Sequence, residues 1–207
     1  MRNNFYPVIH VKNLQHAVDN AQVAFAANAD GIFLINMGDT TKQVLQDAFE
    51  TLCLQYDSNP DFSVGINYLT YLDQINISLP PKTLLWSDTM EGYSEEFKQL
   101  SLVETKFYAP FMFKYQNPMN DVPLKELENI CDVITTSGDR TGIPPSLEKI
   151  QYIHNQVSKP IAIASGISAE NVRQFKPYVR DFLVGTSIGY HNLIPEKVME
   201  LEGIIHE

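Results

Sequence analysis

Eight short runs rich in β-branched, aliphatic and aromatic residues recur along the chain, most of them separated by stretches of helical period. They are VIHVK (8–12), GIFLIN (31–36), FSVGINYL (62–69), TLLWSD (83–88), KFYAPFMF (106–113), CDVITTS (131–137), PIAIAS (160–165) and DFLVGTS (181–187). Between them apolar residues fall three and four apart: Leu14, Val18, Ala21 and Phe25; Val44, Leu45, Ala48 and Leu52; Leu147, Ile150 and Ile153. A last helix, from about Pro195, carries Val198, Leu201 and Ile205. Strands alternating with helices pair in parallel, because each crossover needs a helix-sized connection. Eight such units predict a compact (βα)8 TIM barrel formed by residues 1–207 as a single domain, with a doubly wound open sheet as the alternative. The stretch TYLDQINISLPPK (70–82) is too short and proline-rich for a full helix, so the third βα connection is expected to be truncated.

Charge narrows the function. With 15 Lys and Arg against 25 Asp and Glu, the formal charge is −10. That balance argues against general nucleic-acid or anionic-membrane binding, both of which need a basic face. A small anion is still admissible, provided that backbone N–H groups and a few cations form its site locally. The chain has no apolar run approaching the roughly 18 residues of a membrane span, and MRNNFYPVIH lacks a signal peptide's apolar core. Cys53 and Cys131 are far apart and read as reduced, buried thiols, so the expected compartment is the cytoplasm. The histidines show no metal-ligand spacing, and dinucleotide, Walker and nucleophile-elbow motifs are missing, so neither metal nor cofactor is expected.

In a (βα)8 barrel the active site forms at the carboxyl ends of the strands. Those ends supply Lys12, Asn36 with Asp39, Asn67, Asp88, Lys114, Ser137 with Gly138, Ser165 with Gly166, and Gly185 with Thr186 and Ser187. Singly, such residues are ordinary turn and cap formers; as a set they mark a mouth. The turns SGIS (165–168) and VGTSIG (184–189) are placed where barrels often hold phosphate. The backbone N–H groups near Gly166, Ile167, Gly185, Thr186 and Ser187, with the hydroxyls of Ser165 and Ser187, are the expected donors. Ser168 is expected to cap a following helix.

Lys114 ends an apolar strand, where it either neutralises a substrate, acts as a base or Schiff-base nucleophile, or snorkels to water. Asp39 and Asp88 are the candidate acid and base, although Asp39 could equally cap a helix. In SGDRTGIPP (137–145), Gly138 and Gly142 are expected to open room at the mouth. Arg140 is either an anion clamp or the partner of Asp139 or Asp88. Trp86 reads as barrel filling, and His10 as an interior residue with site lining the alternative.

The stretch 131–188 resembles the BtpA family, barrels related to the ribulose-phosphate-binding group. The resemblance rests on TSGDRTGIPP (136–145), SGISAEN (165–171) and GTS (185–187), which are similar to that family's turns after strands six, seven and eight. Upstream, INMGD (35–39), VGINYL (64–69) and FKYQNP (113–118) look like its EN.GD, VGVNVL and VKHA.P patterns, with Lys114 on the family lysine. Ile35 replaces the pattern's glutamate, and Thr70 and Tyr71 stand where charged residues usually follow VNVL. The resemblance implies a barrel with a small phosphorylated or nucleoside-like ligand; the family's founding association is with photosystem I biogenesis.

Two functions follow. The first is an enzyme, an isomerase, lyase or transferase, acting on a small phosphorylated metabolite held at strands seven and eight. Lys114, Asp39 and Asp88 would do its chemistry, and Lys12, Asn36, Asn67, Gly138 and Arg140 would contact the substrate. The second is a non-catalytic binding or assembly protein that keeps the anion pocket. The expected partners are that ligand and, in a homo-oligomer, further copies of the chain.

Overall fold

The computed structural model describes residues 2–36, 38, 40–75, 79–101, 104–114 and 122–207. Eight strands close into a barrel in sequence order, every neighbouring pair parallel. They are β1 (Asn4–Val11), β2 (Gly31–Asn36), β3 (Ser63–Asn67), β4 (Leu84–Trp86), β5 (Lys106–Pro110), β6 (Val133–Thr136), β7 (Ile161–Ile163) and β8 (Asp181–Val184). All eight fall on the runs read from the sequence, and the open-sheet alternative is excluded because β8 pairs with β1. The first strand starts at Asn4, upstream of VIHVK. Its residues Asn4–Pro7 pair with β8 and Val8–Val11 with β2, the stagger that a tilted, closed sheet requires.

Helices cover the outside: α1 (Leu14–Ala26), α2 (Lys42–Tyr56), α3 (Glu95–Ser101), α4 (Leu124–Ile130), α5 (Leu147–Gln156), α6 (Thr186–Gly189) and α7 (Pro195–His206). Four start on side-chain caps, among them α3, where Ser94 Oγ accepts from Phe97 N at 3.0 Å. Asn13 Oδ1 accepts from His16 N at 2.9 Å, Thr41 Oγ1 from Val44 N at 3.2 Å, and Ser146 Oγ from Lys149 N at 3.1 Å. In α1 the buried stripe is Ala17, Ala21 and Ala24, while Leu14 and Phe25 stay exposed. Alanines let α1 lie close on the sheet, and the Phe25 ring turns sideways onto Tyr56 and Phe62, at 5.1 and 5.3 Å. The third connection is truncated as expected, its described part holding one 3-10 turn, Leu72–Gln74. A second replacement was not foreseen: β7 is followed by a 3-10 turn, Val172–Gln174, with Pro177 soon after to block extension.

The barrel interior is a packed aromatic column. The Phe33 ring meets Tyr6, Tyr108 and Trp86 edge-on at 5.7, 5.2 and 5.9 Å. Gly65 makes this possible, since a Cβ there would stand 2.4 Å from that ring. At the amino end, buried Asp181 accepts hydrogen bonds from Tyr108 Oη (2.9 Å) and Asn4 Nδ2 (2.7 Å). Burial raises its carboxyl pKa, against the pull of those two donors. The column therefore fills the lower barrel beneath the cavity at the carboxyl end. No helix among the described residues is long and apolar enough to cross a membrane. Both cysteines are free, and burial pushes each thiol up to about 12.

Candidate functional site

A cavity of about 400 Å³ opens at the carboxyl ends of the strands. Its floor is made by inward residues of β1, β2, β4, β7 and β8, among them Val8, Ile35, Trp86, Ala164 and Leu183. Its rim is the turns after β6, β7 and β8. A second groove of about 530 Å³ lies outside the barrel, between α2 and residues 80–83, away from the strand ends.

The three turns hold one another by close contact. Ser165 Oγ donates to Arg140 O (3.1 Å), and Ser187 Oγ donates to Ile167 O (2.6 Å). Asn171 Nδ2 donates to Gly166 O (2.8 Å). Gly166 has φ +65°, and a Cβ on it would be 2.1 Å from Pro144 N. The glycine thus lets the turn after β6 pack on the turn after β7, and a bulky residue there would displace SGDRTGIPP as well as any ligand. Gly142, at φ +80° with open space around it, lines the cavity as expected. Gly138 does not open room: a Cβ would meet Ile143 O at 2.2 Å, so it serves the fold-back of its own turn. Ser168 heads no α-helix; its N–H donates to Asn171 Oδ1 and its hydroxyl to Glu170.

Between these turns, the amides of Gly166, Ile167, Thr186 and Ser187 have no acceptor among the described residues. α6 is only four residues long, so any attraction for an anion comes from these individual N–H groups. Ser187 Oγ already donates to Ile167 and would have to turn to serve a ligand.

Lys114 reaches the cavity. Its Nζ sits 3.4 Å from Ala164 O and 5.3 Å from the Phe113 ring centre, and its N–H donates to Ser137 Oγ at 2.7 Å. Lys149 Nζ anchors this corner by donating to Ser137 O (2.7 Å) and Met112 O. Asp88 lies beside the cavity lining and accepts from Asn67 Nδ2 at 2.9 Å. Burial raises its carboxyl pKa, while Asn67 and the Lys114 charge pull it down.

The remaining candidates scatter. Asp39 lies outside the described residues. Lys12 is exposed beyond the end of β1, and Asn36 Oδ1 accepts from Gly38 N at 2.8 Å. Neither lines the cavity, nor does Asn67. Arg140 is exposed and contributes through its carbonyl rather than as a lining side chain.

His10 takes the site-lining alternative. It lines the cavity against Gly185, with its ring 4.3 Å from that of Tyr190. Its Nδ1 is buried without a partner. Burial, then the charge of Lys114, lowers its pKa to about 4, so the imidazole is neutral near pH 7. Asn171, from the SGISAEN motif, also lines the cavity. Among the described residues no three His, Cys, Asp or Glu side chains gather as a metal ion would require.

Residues 108–201 match the BtpA family. They run from β5 into α7 and contain Lys114 and all three rim turns, so the resemblance carried by those motifs holds. The upstream BtpA-like motifs INMGD and VGINYL precede the matched residues. An uncharacterized protein of Methanocaldococcus jannaschii is 24% identical over 173 aligned residues, 79% of this chain and 66% of that protein, just under two thirds of its length. Among solved structures, thiamine phosphate pyrophosphorylase from Pyrococcus furiosus superposes with a TM-score of 0.73 at 15% identity, covering 98% of this chain and 95% of its own. The tryptophan synthase alpha chain from Legionella pneumophila gives 0.68 at 10% identity, covering 99% and 92%. At such identities the likeness is one of fold.

Proposed function

We propose that this BtpA-like barrel binds a small phosphorylated metabolite, its phosphate between the SGIS and GTS turns, and acts on it as an isomerase, lyase or transferase. The observation that carries the reading is the cavity itself: unpaired amides on one rim face Lys114 and a neutral His10 across the same space. The amides would hold phosphate oxygens at about 3 Å without relying on the protein's unfavourable overall charge. Lys114 would stabilise negative charge developing on the substrate. His10, neutral and half-buried, would accept or return a proton. Asp88 would tune Lys114 through its charge rather than touch substrate.

Barrel neighbours whose names carry a phosphorylated compound, such as thiamine phosphate pyrophosphorylase, agree with this reading. One observation favours the non-catalytic alternative: Ile35 lines the cavity where the resemblance implies a glutamate.

Thr186→Asp tests the phosphate site. Thr186 is exposed, so the change leaves the core untouched but sets a carboxylate beside the anion. Like charges about 4 Å apart repel by roughly 1–4 kcal/mol near a protein surface. Calorimetry with a panel of phosphorylated compounds should show binding that this variant weakens at least about fivefold, with melting temperature unchanged. Equal binding by the variant would place the anion elsewhere.

A further inference from the structure

The floor of the cavity says what the rest of the ligand is. Resting on the phosphate reading above, we infer that the phosphorylated metabolite carries a flat, weakly polar ring, aromatic or heteroaromatic, rather than a polyhydroxylated sugar chain. Below the rim the walls are Val8, Ile35, Trp86, Ala164 and Leu183, all largely buried. Among the described residues, the side chains expected to meet sugar hydroxyls do not line this floor. Lys12 is exposed, Asn36 Oδ1 is held by Gly38 N, and Asn67 is bonded to Asp88 and to Leu69 N.

Beneath the rim, the polar side chains that line the cavity among the described residues are Lys114, whose Nζ has Ala164 O at 3.4 Å, with His10 and Trp86. Trp86 Nε1 and His10 Nδ1 are themselves buried from solvent, so few polar atoms on this floor face a ligand. One or two ring heteroatoms would match that count. Each hydroxyl buried without a partner weakens binding roughly tenfold or more, so a five-carbon sugar phosphate would be rejected by its own polarity. The cavity, about 400 Å³, lies at the small end of ligand sites, which suits one ring system.

The experiment uses the intact chain with inorganic phosphate, glycerol 3-phosphate, ribose 5-phosphate, phenyl phosphate and unphosphorylated phenol. Trp86 is the single tryptophan of the sequence, so its fluorescence reports this floor directly, beside calorimetry. Phenyl phosphate should bind at least about tenfold tighter than either sugar-type phosphate and should alter Trp86 emission. If glycerol 3-phosphate or ribose 5-phosphate binds as tightly, the ring assignment is overturned while the phosphate reading stands. If no phosphorylated probe binds, whether or not phenol does, the phosphate reading falls and this inference with it. Ile35→Thr puts a hydroxyl into the floor, with Ile35→Val as the control for lost volume, and relative to that control should narrow the ratio of phenyl to ribose phosphate affinity. A ratio unchanged in that variant would also overturn the assignment.

Discussion

Two glycines at the mouth share a backbone conformation and differ in their surroundings, which lets strain be separated from contact. Gly142 has φ +80° with nothing within 4 Å of a built Cβ; Gly166 has φ +65° with Pro144 N at 2.1 Å and Ile143 C at 2.3 Å. Alanine at either site adopts the left-handed region at a cost of roughly 1–2 kcal/mol. For a chain of this size each kcal/mol shifts the melting temperature by about 2–4 °C. Gly142→Ala should therefore lose about 2–8 °C and no more. Gly166→Ala carries the same strain and adds a collision with backbone atoms that cannot rotate away. Overpacking of that kind costs roughly a further 1–3 kcal/mol, for a total of about 4–20 °C. Thermal denaturation followed by far-UV circular dichroism measures both. Equal losses would mean that SGDRTGIPP does not rest on the turn after β7, and the account of the rim would fail. Phosphate binding should follow the same order, weakened more by Gly166→Ala because the loss of packing moves the amides of Gly166 and Ile167.

Acid should destabilise the protein through His10. Its folded pKa is lowered to about 4 from 6.5, so between those values the unfolded chain binds the proton first and stability falls with pH. His10→Gln should flatten this part of the urea-denaturation profile between about pH 6.5 and 4 and leave stability above that window little changed in its pH dependence; an identical slope in parent and variant would refute it. At the other end of the barrel, Asp181→Ala removes an acceptor from buried Tyr108 Oη and half-buried Asn4 Nδ2, while Tyr6 remains a hydrogen-bond partner of Tyr108. Because water can reach Asn4 and Tyr108 keeps Tyr6, the cost is that of about one buried group left unpaired, and chemical denaturation should show a loss of roughly 1–3 kcal/mol. A loss well below 1 kcal/mol would mean that the network adds little.

The strands were legible because they must be apolar on both faces: helices cover one side and the aromatic column fills the other. Helix faces were less legible. The stripe expected on α1 was Leu14, Val18, Ala21 and Phe25; Ala21 is buried and Val18 packs half-buried on the core, but Leu14 and Phe25 stay exposed while Ala17 and Ala24 are buried. A hydrophobic pattern finds the period but not how closely a helix must approach its sheet. The turn after β7 was misjudged for a related reason. Ser168 has the residue type of a cap, but the chain after it forms only the 3-10 turn Val172–Gln174 before Pro177.

For the site, the period of two along a strand decides more than residue type. Along β1, Tyr6, Val8 and His10 share the inward face, so His10 enters the cavity while Lys12 lies past the last paired residue. On β2 the inward residues are Phe33 and Ile35, and Asn36 belongs to the other face despite being the more polar neighbour. Selecting the last polar residue of each strand ignores this alternation and so chose Asn36 over Ile35. The same parity gives the replaced glutamate its meaning. A carboxylate at position 35 would stand inside the cavity near Trp86 and His10; isoleucine instead completes an apolar floor beneath a polar rim. Loss of that charge need not leave an idle remnant of a sugar-phosphate site. It changes which ligand the floor can desolvate without penalty, and a flat ring is the group that gains.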